Sequence, residues 1–360
     1  MVVFLGPIFT DEILFKHTKT SPAASIWCSF FAKNLDKKTE VFCLSAVNSS
    51  MFPIGALFVN GYEYNNPVET KMVSYLGLPY LRTYLKNKKI KKILNLYLKK
   101  GNLSHVITYN TSPQNIIAAE FLKSKGVKWV SIYADADTDK QLISNADYHL
   151  YFSYSSFLRS KYKNKINYEG SIYKDLPSNF KENHNKIFLY TGAIRKENGV
   201  ELMMDAFKLI EDKNAKLIIC GSGSYDGFIK KTNSDSRIKF LGLVDKNKLN
   251  SLYTEASFYL NPRLSCYEEN NNNFPSKLLD YLSYGKPIIS TKTGGINPCF
   301  YPYLFLLDKE NKHDLCSLMN DVLLKTSEDK KDLFNKIKEF SENSNSWDSK
   351  VTQIWNWINI

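Results

Sequence analysis

Residues 258–291 read FYLNPRLSCYEENNNNFPSKLLDYLSYGKPIIST. An apolar run ends at Asn261-Pro262-Arg263, which predicts a buried strand closing on a cation. The next stretch, 265–273, is too polar for a core and predicts a loop. A helix is expected over 275–284. Pro275 suits its first turn, where no N–H partner is lost. Leu278, Leu279 and Leu282 give it an apolar face, Gly285 ends it, and Pro287 opens a second strand, 287–291. A helix start offers unpaired amides and the positive end of a dipole. Lys277 in that first turn is opposed to the dipole unless a polyanion lies between them. Asp280, one turn after Ser276, is placed to accept from hydroxyls of the same ligand. The competing reading is a capped core helix with surface charges.

Working outward, short apolar runs alternate with helical stretches along the whole chain, the βα pattern of parallel sheets. In the first half, strands are expected near 2–5, 41–45, 105–109, 128–133 and 148–152. Helices are expected over 22–35, 68–78, 82–100, 112–125 and 154–161, with a loop over 46–66. In the second half, strands fall at 187–191, 215–220, 237–241, 257–260 and 287–291. Helices there follow at 199–211, 245–255, 275–284 and 311–324, with two more near 327–340 and 346–358. A polar linker spans 174–185. The fold class is therefore α/β, with a Rossmann-like domain over 1–180, a second over 181–340, and a terminal helix, 341–360, returning to the first. Trp347, Trp355 and Trp357 in that last segment read as docking residues.

Open α/β sheets bind ligands beyond the carboxyl ends of their strands, so the loops there hold the candidate site. Tyr190-Thr191-Gly192-Ala193-Ile194-Arg195-Lys196 follows one strand. Gly192 permits close approach of a ligand to the backbone, and Arg195 and Lys196 place charge suited to a diphosphate. Cys220-Gly221-Ser222-Gly223 follows the next; its glycines offer N–H groups to phosphate or sugar, or simply make a small-residue turn. Asp245, after Val244, is placed to cap a helix.

The ordered set YTGAIRKENGVELMMDAF, KLIICGSG, IKFLGLVDKNKLNSLYTEASFYLNPR, FPSKLLDYLSYGKPIIST and TGG resembles the C-terminal domain of the retaining GT-B glycosyltransferases of family 4, the surface polysaccharide, capsule and O-antigen type. The first half resembles that family more loosely. The resemblance implies two Rossmann-like domains facing across a cleft, with a nucleotide-sugar donor held by the second. It puts Asp280 on the donor ribose and places the other acid of the family's pair at Asn272, near Glu268 and Glu269. It assigns Asn273, Phe274, Pro275 and Ser276 to the donor pocket and sets a backbone contact to the base at Val244. The family's paired diphosphate cations fall at Ala193 and Asn198, so Arg195, Lys196, Lys277 and Arg263 are the cations available. The two-glycine loop is present as Gly294-Gly295.

In the first half, Ser21-Pro22-Ala23 opens the first helix, where family members place a small-residue loop near donor phosphate and sugar. Asp135 and Asp137 follow a strand; the expectation is an acceptor-side feature rather than a metal site. No metal or other cofactor is expected, because fixed cations and helix-end amides can stabilise a departing nucleoside diphosphate. By resemblance the anomeric configuration is retained. The acceptor is expected to be a glycan or a polyprenyl-diphosphate-linked glycan.

Composition bounds the rest. Lys and Arg outnumber Asp and Glu 48 to 36, a net charge of +12, yet no nucleic-acid module is visible. The six cysteines are scattered singly, implying neither zinc nor a disulfide framework. No run is long and apolar enough to span a bilayer, and no leader is apparent, so a cytoplasmic location is expected. The helix near 82–100 is basic and carries no acid: it suits either a peripheral position on the anionic inner face of a membrane or a solvated domain face. Two other functions remain open on sequence grounds. A nucleotide-sugar 2-epimerase would form a new epimer without acceptor. A non-catalytic GT-B binding subunit would bind no nucleotide.

Overall fold

The computed structural model describes every residue except 11, 14–20, 47–49, 80, 136–144, 173–175, 233 and 360. The chain forms two units. The first comprises Met1–Phe152, Ser156–Gly170 and Trp347–Ile360; the second comprises Ser153–Ser155 and Ser171–Ser346.

The first unit carries strands β1 (Val2–Leu5), β2 (Val41–Ser45), β3 (Phe58–Val59), β4 (Tyr62–Asn65), β5 (Glu69–Met72), β6 (Tyr75–Leu76), β7 (His105–Tyr109), β8 (Lys128–Tyr133), β9 (Tyr148–Tyr151) and β10 (Lys165–Asn167). Eight of them form one sheet in the order β10-β9-β8-β7-β1-β2-β5-β4. All neighbours are parallel except the edge strand β4, which runs antiparallel to β5. The central strands are buried on both faces, as expected for a parallel sheet covered by helices. Helices Leu81–Lys99 and Pro113–Lys123 cover one face through Ile90, Ile93, Leu94, Ala118, Ala119 and Leu122, which pack with Val3, Phe42, Val106 and Trp129.

The segment 68–78 is not the expected helix. Val68, Thr70 and Met72 are buried while Glu69 and Lys71 are less so, a period of two that makes β5. The expected loop over 46–66 likewise contains β3 and β4, with β3 pairing β6 in a separate two-stranded ribbon. Both departures come from strand pairing across short separations, which an apolar count over a helical window does not register.

The terminal helix Trp347–Ile358 belongs to the first unit. Trp347 is buried against Trp27 and Phe30 of helix Pro22–Asp36, at centroid distances of 5.7 and 5.6 Å. Trp357 meets Tyr148 edge-on at 5.0 Å, Trp355 lies 5.7 Å from His105, and the His105 ring bonds the Ile358 carbonyl at 3.2 Å. The three tryptophans therefore dock, as expected.

The second unit carries β11 (Ile187–Thr191), β12 (Lys216–Cys220), β13 (Ile238–Gly242), β14 (Phe258–Asn261), β15 (Ile288–Thr291) and β16 (Phe305–Leu307). All are parallel, in the order β13-β12-β11-β14-β15-β16. Counted from one within the unit, that is 3-2-1-4-5-6, the doubly wound Rossmann order. It reverses between β11 and β14, and the crevice at such a reversal is where ligands bind. The core joins Phe188, Tyr190 and Leu217 of the sheet to Met203, Phe207, Leu315 and Met319 of the flanking helices. The strand β16 and the helix Asp226–Thr232 were not anticipated. Each is short and lacks a full period of its own pattern.

Candidate functional site

The strand reversal brings together the loop after β11 and the end of β14. Tyr190, next to last in β11, is fully buried, and its hydroxyl donates to the Ala193 carbonyl at 2.9 Å. The Asn198 side-chain amide donates to the same carbonyl at 2.8 Å. The loop 192–199 is thereby folded back over its own strand. Gly199, at φ +73°, adopts a left-handed turn beside the Pro262 carbonyl, which a Cβ there would meet at 1.8 Å.

Helix Lys277–Leu282 is pinned to both strands by one phenol. The Tyr281 hydroxyl accepts from the Thr191 amide at 3.0 Å and lies 3.3 Å from the Leu260 carbonyl. Its ring stacks on Tyr259 of β14 at 4.7 Å. Four residues earlier, one turn back on the same face, Lys277 reaches over the Tyr190 ring, its Nζ 3.9 Å from the centroid. That Nζ also lies 3.3 Å from where a Cβ on Gly192 would stand; Gly192 is at φ +134°.

Part of the Lys277 stem remains in solvent, but its Nζ is buried and has no hydrogen-bond partner among the described residues. Burial pushes its ammonium well below its ordinary range, and the neighbouring Arg263 guanidinium adds to the effect. Burial acts on Arg263 the same way, and its Nε is also unpartnered; a guanidinium nonetheless stays charged. Burying Lys277 Nζ and Arg263 Nε beside each other, with no carboxylate bonded to either atom among the described residues, costs stability. They stand beside the aromatic face of Tyr190 and the backbone of Gly192, an arrangement whose chemistry suits an anion. The amides of Ser276 and Lys277 at the helix start have no acceptor among the described residues.

The expected site residues sort into distinct groups on this geometry. Lys277, Arg263 and Gly192 converge. Asp280 follows in the first turn of the helix, its charge felt by the buried Tyr253 and Tyr281 phenols. Ser276 is exposed at the helix start, with no side-chain cap bond. Arg195 and Lys196 do not join the buried pair. Arg195 is half exposed and flanked by Glu197 at 3.7 Å and Glu269 at 4.0 Å; Lys196 is exposed. Their loop is turned outward because Ile194 is the residue that anchors it, buried and bonded through its amide to Ser222.

The amides expected to be offered at Gly221 and Gly223 are spent inside the protein. Gly221 N–H donates to the Gly242 carbonyl at 2.9 Å, and Gly223 N–H to Asp226 at 2.9 Å. These glycines serve close backbone packing: a Cβ on Gly221 would lie 1.8 Å from the Gly192 carbonyl oxygen, and one on Gly223 2.3 Å from that of Ile194. Val244 is half-buried beyond β13, and Asp245 caps the following helix by accepting from Lys248 N–H at 2.9 Å.

The stretch 265–273 is not the polar loop expected. Glu268–Asn272 is a short helix, and Asn270 and Asn272 are buried. Asn270 donates to the carbonyls of Glu197 and Leu264 at 2.7 and 2.9 Å. Asn271 accepts from Gly294 N–H at 2.9 Å, and Asn272 donates to Glu268 at 3.2 Å. Asn270 and Asn271 satisfy backbone groups of neighbouring loops, and the buried amide of Asn270 thereby keeps its hydrogen bonds. Asn273 presents its carbonyl to Gly295, where a Cβ would approach within 2.3 Å. Phe274 packs on Phe300 at 5.5 Å, and Pro275 is buried; both shape the wall rather than reach a ligand by side chain. The helix that follows is shorter than expected, Lys277–Leu282 rather than 275–284, because Ser276 and Ser283 already lie in its caps.

In the first unit, Ser21 caps helix Pro22–Asp36, its hydroxyl accepting from Ala24 N–H at 3.3 Å; Ser21, Pro22 and Ala23 are exposed. Asp135 is exposed beyond β8 and accepts from the Asn110 amide at 2.7 Å. Asn110, at φ +55°, also accepts from Ala134 N–H, tying the ends of β7 and β8. Asp137 lies outside the described residues. Among the described residues no three His, Cys, Asp or Glu converge as metal ligands.

The residues missed from sequence are Tyr190 and Tyr281, which position the cations, and Asn270. Only the place of Tyr190 next to the end of β11 offered any signal.

Residues 172–344 match the family described as Glycosyl transferases group 1. A glycosyltransferase of Methanocaldococcus jannaschii, described as uncharacterized, is 23% identical over 283 residues, covering 75% of this chain and 64% of that protein. The chain thus spans just under two thirds of that relative. Among solved structures, Anabaena HepE in complex with UDP superposes with a TM-score of 0.67 at 12% identity, covering 99% of both chains. Sucrose-phosphate synthase from Thermosynechococcus elongatus superposes with a TM-score of 0.68 at 15% identity, covering 99% of this chain and 98% of that one. The family match and the relative agree on glycosyltransferases as the proteins this chain is similar to, and the fold it shares with the solved structures is GT-B.

Proposed function

We propose that this protein is a glycosyltransferase that takes its sugar from a nucleotide-sugar donor held by the second unit. The observation that carries this reading is the pair Lys277 and Arg263 at the strand reversal, whose buried Nζ and Nε have no hydrogen-bond partner among the described residues. Transfer of a sugar leaves a nucleoside diphosphate, and fixed charges at its oxygens stabilise the departing group with no reorganisation. Lys277 supplies a compact ammonium and Arg263 a planar fork, the two geometries that suit neighbouring phosphates. Ser276 and the helix-start amides add donors, and Asp280 accepts from ribose or sugar hydroxyls. HepE of Anabaena has been solved with UDP and with UDP-glucose, which supports a donor of this chemistry.

The finer reading follows the resemblance. The anomeric configuration is retained, the reaction needs no metal, and the acceptor is a glycan or a polyprenyl-diphosphate-linked glycan in surface polysaccharide synthesis, met at the inner face of the membrane. Asp135, held by Asn110, is assigned to the acceptor side.

Calorimetric titration with UDP, GDP, ADP and their sugar conjugates tests the donor site. Binding of one nucleotide, reduced about 10- to 150-fold in Lys277→Met, is expected from the loss of a charged hydrogen bond. No binding by any nucleotide, or equal binding by Lys277→Met, overturns the assignment. Sugar transfer to a lipid-linked glycan, with the anomeric configuration read by NMR, tests the finer reading.

A further inference from the structure

The second unit's site leaves a surface of the first unit unexplained. The ribbon β3–β6 is two-faced. Val59 and Tyr75 point inward and pack with Ile13 and Met72. Phe58 and Leu76, paired directly across the ribbon, point outward and are exposed, Phe58 by 55%. The turn before the ribbon adds Met51, Phe52, Leu57 and Ile54, the last 89% exposed, more than any other large apolar side chain described. The turn is built onto the ribbon: Phe52 N–H donates to the Gly77 carbonyl at 3.0 Å and Gly77 N–H to the Leu57 carbonyl at 2.7 Å. Four residues after Gly77 begins the helix Leu81–Lys99.

That helix has an exposed face of its own. Leu81, Tyr84, Lys88, Lys92 and Leu96 recur at three- and four-residue steps and are all exposed, Tyr84 by 61%. Lys86 and Lys89 lean onto the ribbon, Lys86 over the Tyr75 ring at 5.2 Å and Lys89 onto Ser74. Residues 73–100 hold eight Lys or Arg and no Asp or Glu. An apolar tip beside a basic, aromatic-bearing helix is the pairing that inserts into acyl chains while holding anionic headgroups. The single sign of charge along 73–100 matches the uniformly anionic surface of such a bilayer.

We infer that the turn 51–57, the outer face of the β3–β6 ribbon and the exposed face of helix Leu81–Lys99 form a docking surface for an anionic lipid bilayer, with Ile54 and Phe58 entering the hydrocarbon boundary. The inference uses no residue of the donor site, so each fails or stands without the other.

The test is flotation of the full chain with vesicles of phosphatidylcholine alone and of phosphatidylcholine containing one-third phosphatidylglycerol. Binding is expected to the anionic vesicles only and to weaken with salt. The double variant Ile54→Asp, Phe58→Ser is expected to bind roughly 10- to 100-fold more weakly, the effect of leaving one or two large apolar side chains unburied. The variant Lys88→Gln, Lys92→Gln is expected to lose about 25-fold, on the order of five-fold per cation. All four side chains are exposed, so unchanged melting temperature and nucleotide binding confirm intact variants; Lys277→Met is expected to bind vesicles like the parent. Absence of binding to anionic vesicles, or binding indifferent to both double variants, overturns the proposal. So does a self-associating species in sedimentation velocity that the Ile54→Asp, Phe58→Ser variant abolishes without any vesicle binding, which assigns the surface to a second copy of the chain.

Discussion

The ammonium of Lys277 lies 3.9 Å from the centre of the Tyr190 ring and has no hydrogen-bond partner among the described residues. A cation–π contact of this kind holds a charge in place without neutralising it. The amine remains available to an anion, and its affinity for protons is lowered by burial and then by the neighbouring Arg263.

That relationship has a pH consequence. A lysine lowered from its ordinary value near 10.5 regains a proton when an anion arrives. Nucleotide binding is therefore expected to take up protons, and affinity to fall as pH rises through the lowered value. Calorimetry in buffers of different ionisation enthalpy measures the uptake. Zero uptake across alkaline pH contradicts the assignment.

The same buried charge is expected to cost stability. Between the lowered value and 10.5 the unfolded chain binds the extra proton, so the contribution of Lys277 to stability rises with pH across that window. Lys277→Met removes the charge and keeps the stem. It is expected to stabilise the free protein by about 1–3 kcal/mol while weakening nucleotide binding. Urea titration and calorimetry on the same sample check both halves.

Among the cations, the buried one at the end of β14 is expected to outweigh the outward pair. Arg263→Ala should weaken nucleotide binding at least about 10-fold. Arg195→Ala, whose charge already lies between Glu197 and Glu269, should change it by less than about 3-fold, in line with a screened surface pair. Equal losses in the two variants reverse the order argued from burial.

Two glycines separate backbone conformation from space. Gly101→Ala meets nothing within 4 Å but holds φ at +78°, so it should cost about 1–2 kcal/mol. Gly221→Ala adds an overlap at 1.8 Å with the Gly192 carbonyl oxygen, and it should cost more than about 4 kcal/mol or prevent folding. Thermal or urea melts rank the pair.

Asn270→Ala removes the side-chain donor from the Glu197 and Leu264 carbonyls, which keep the backbone amides of Leu264 and Tyr267. A loss of about 1–3 kcal/mol in urea-derived stability is expected from the two bonds removed. A loss below about 0.5 kcal/mol means that water replaces the amide and the asparagine run is not the brace described.

Much of the parallel-sheet architecture was legible in the chain. The strands near Val2, Val41, His105, Lys128, Ile187, Lys216, Phe258 and Ile288 are apolar runs followed by turn residues, and each lies where expected. Elements stabilised by a neighbour rather than by their own period were not legible. β5 reads as helix until its partners β2 and β4 are known. The asparagines at 270–272 read as solvated until the carbonyls they serve are in view.

Within the candidate site the division is similar. Lys277 was legible because a lysine in the first turn of a helix opposes the dipole. The lesser standing of Arg195 was not, since nothing in 190–199 says which side chain turns inward. Ile194 decides that by taking the buried place.

The sequence by itself determined the alternation of strand and helix, the turns between them and the excess of positive charge, because these depend on local periodicity and composition. Tertiary structure alone decided which cations are desolvated together, which glycine amides are already spent, and that Phe58 and Leu76 share an outer face. Those properties depend on what surrounds a side chain in space, and a parallel sheet joins neighbours that lie far apart along the chain.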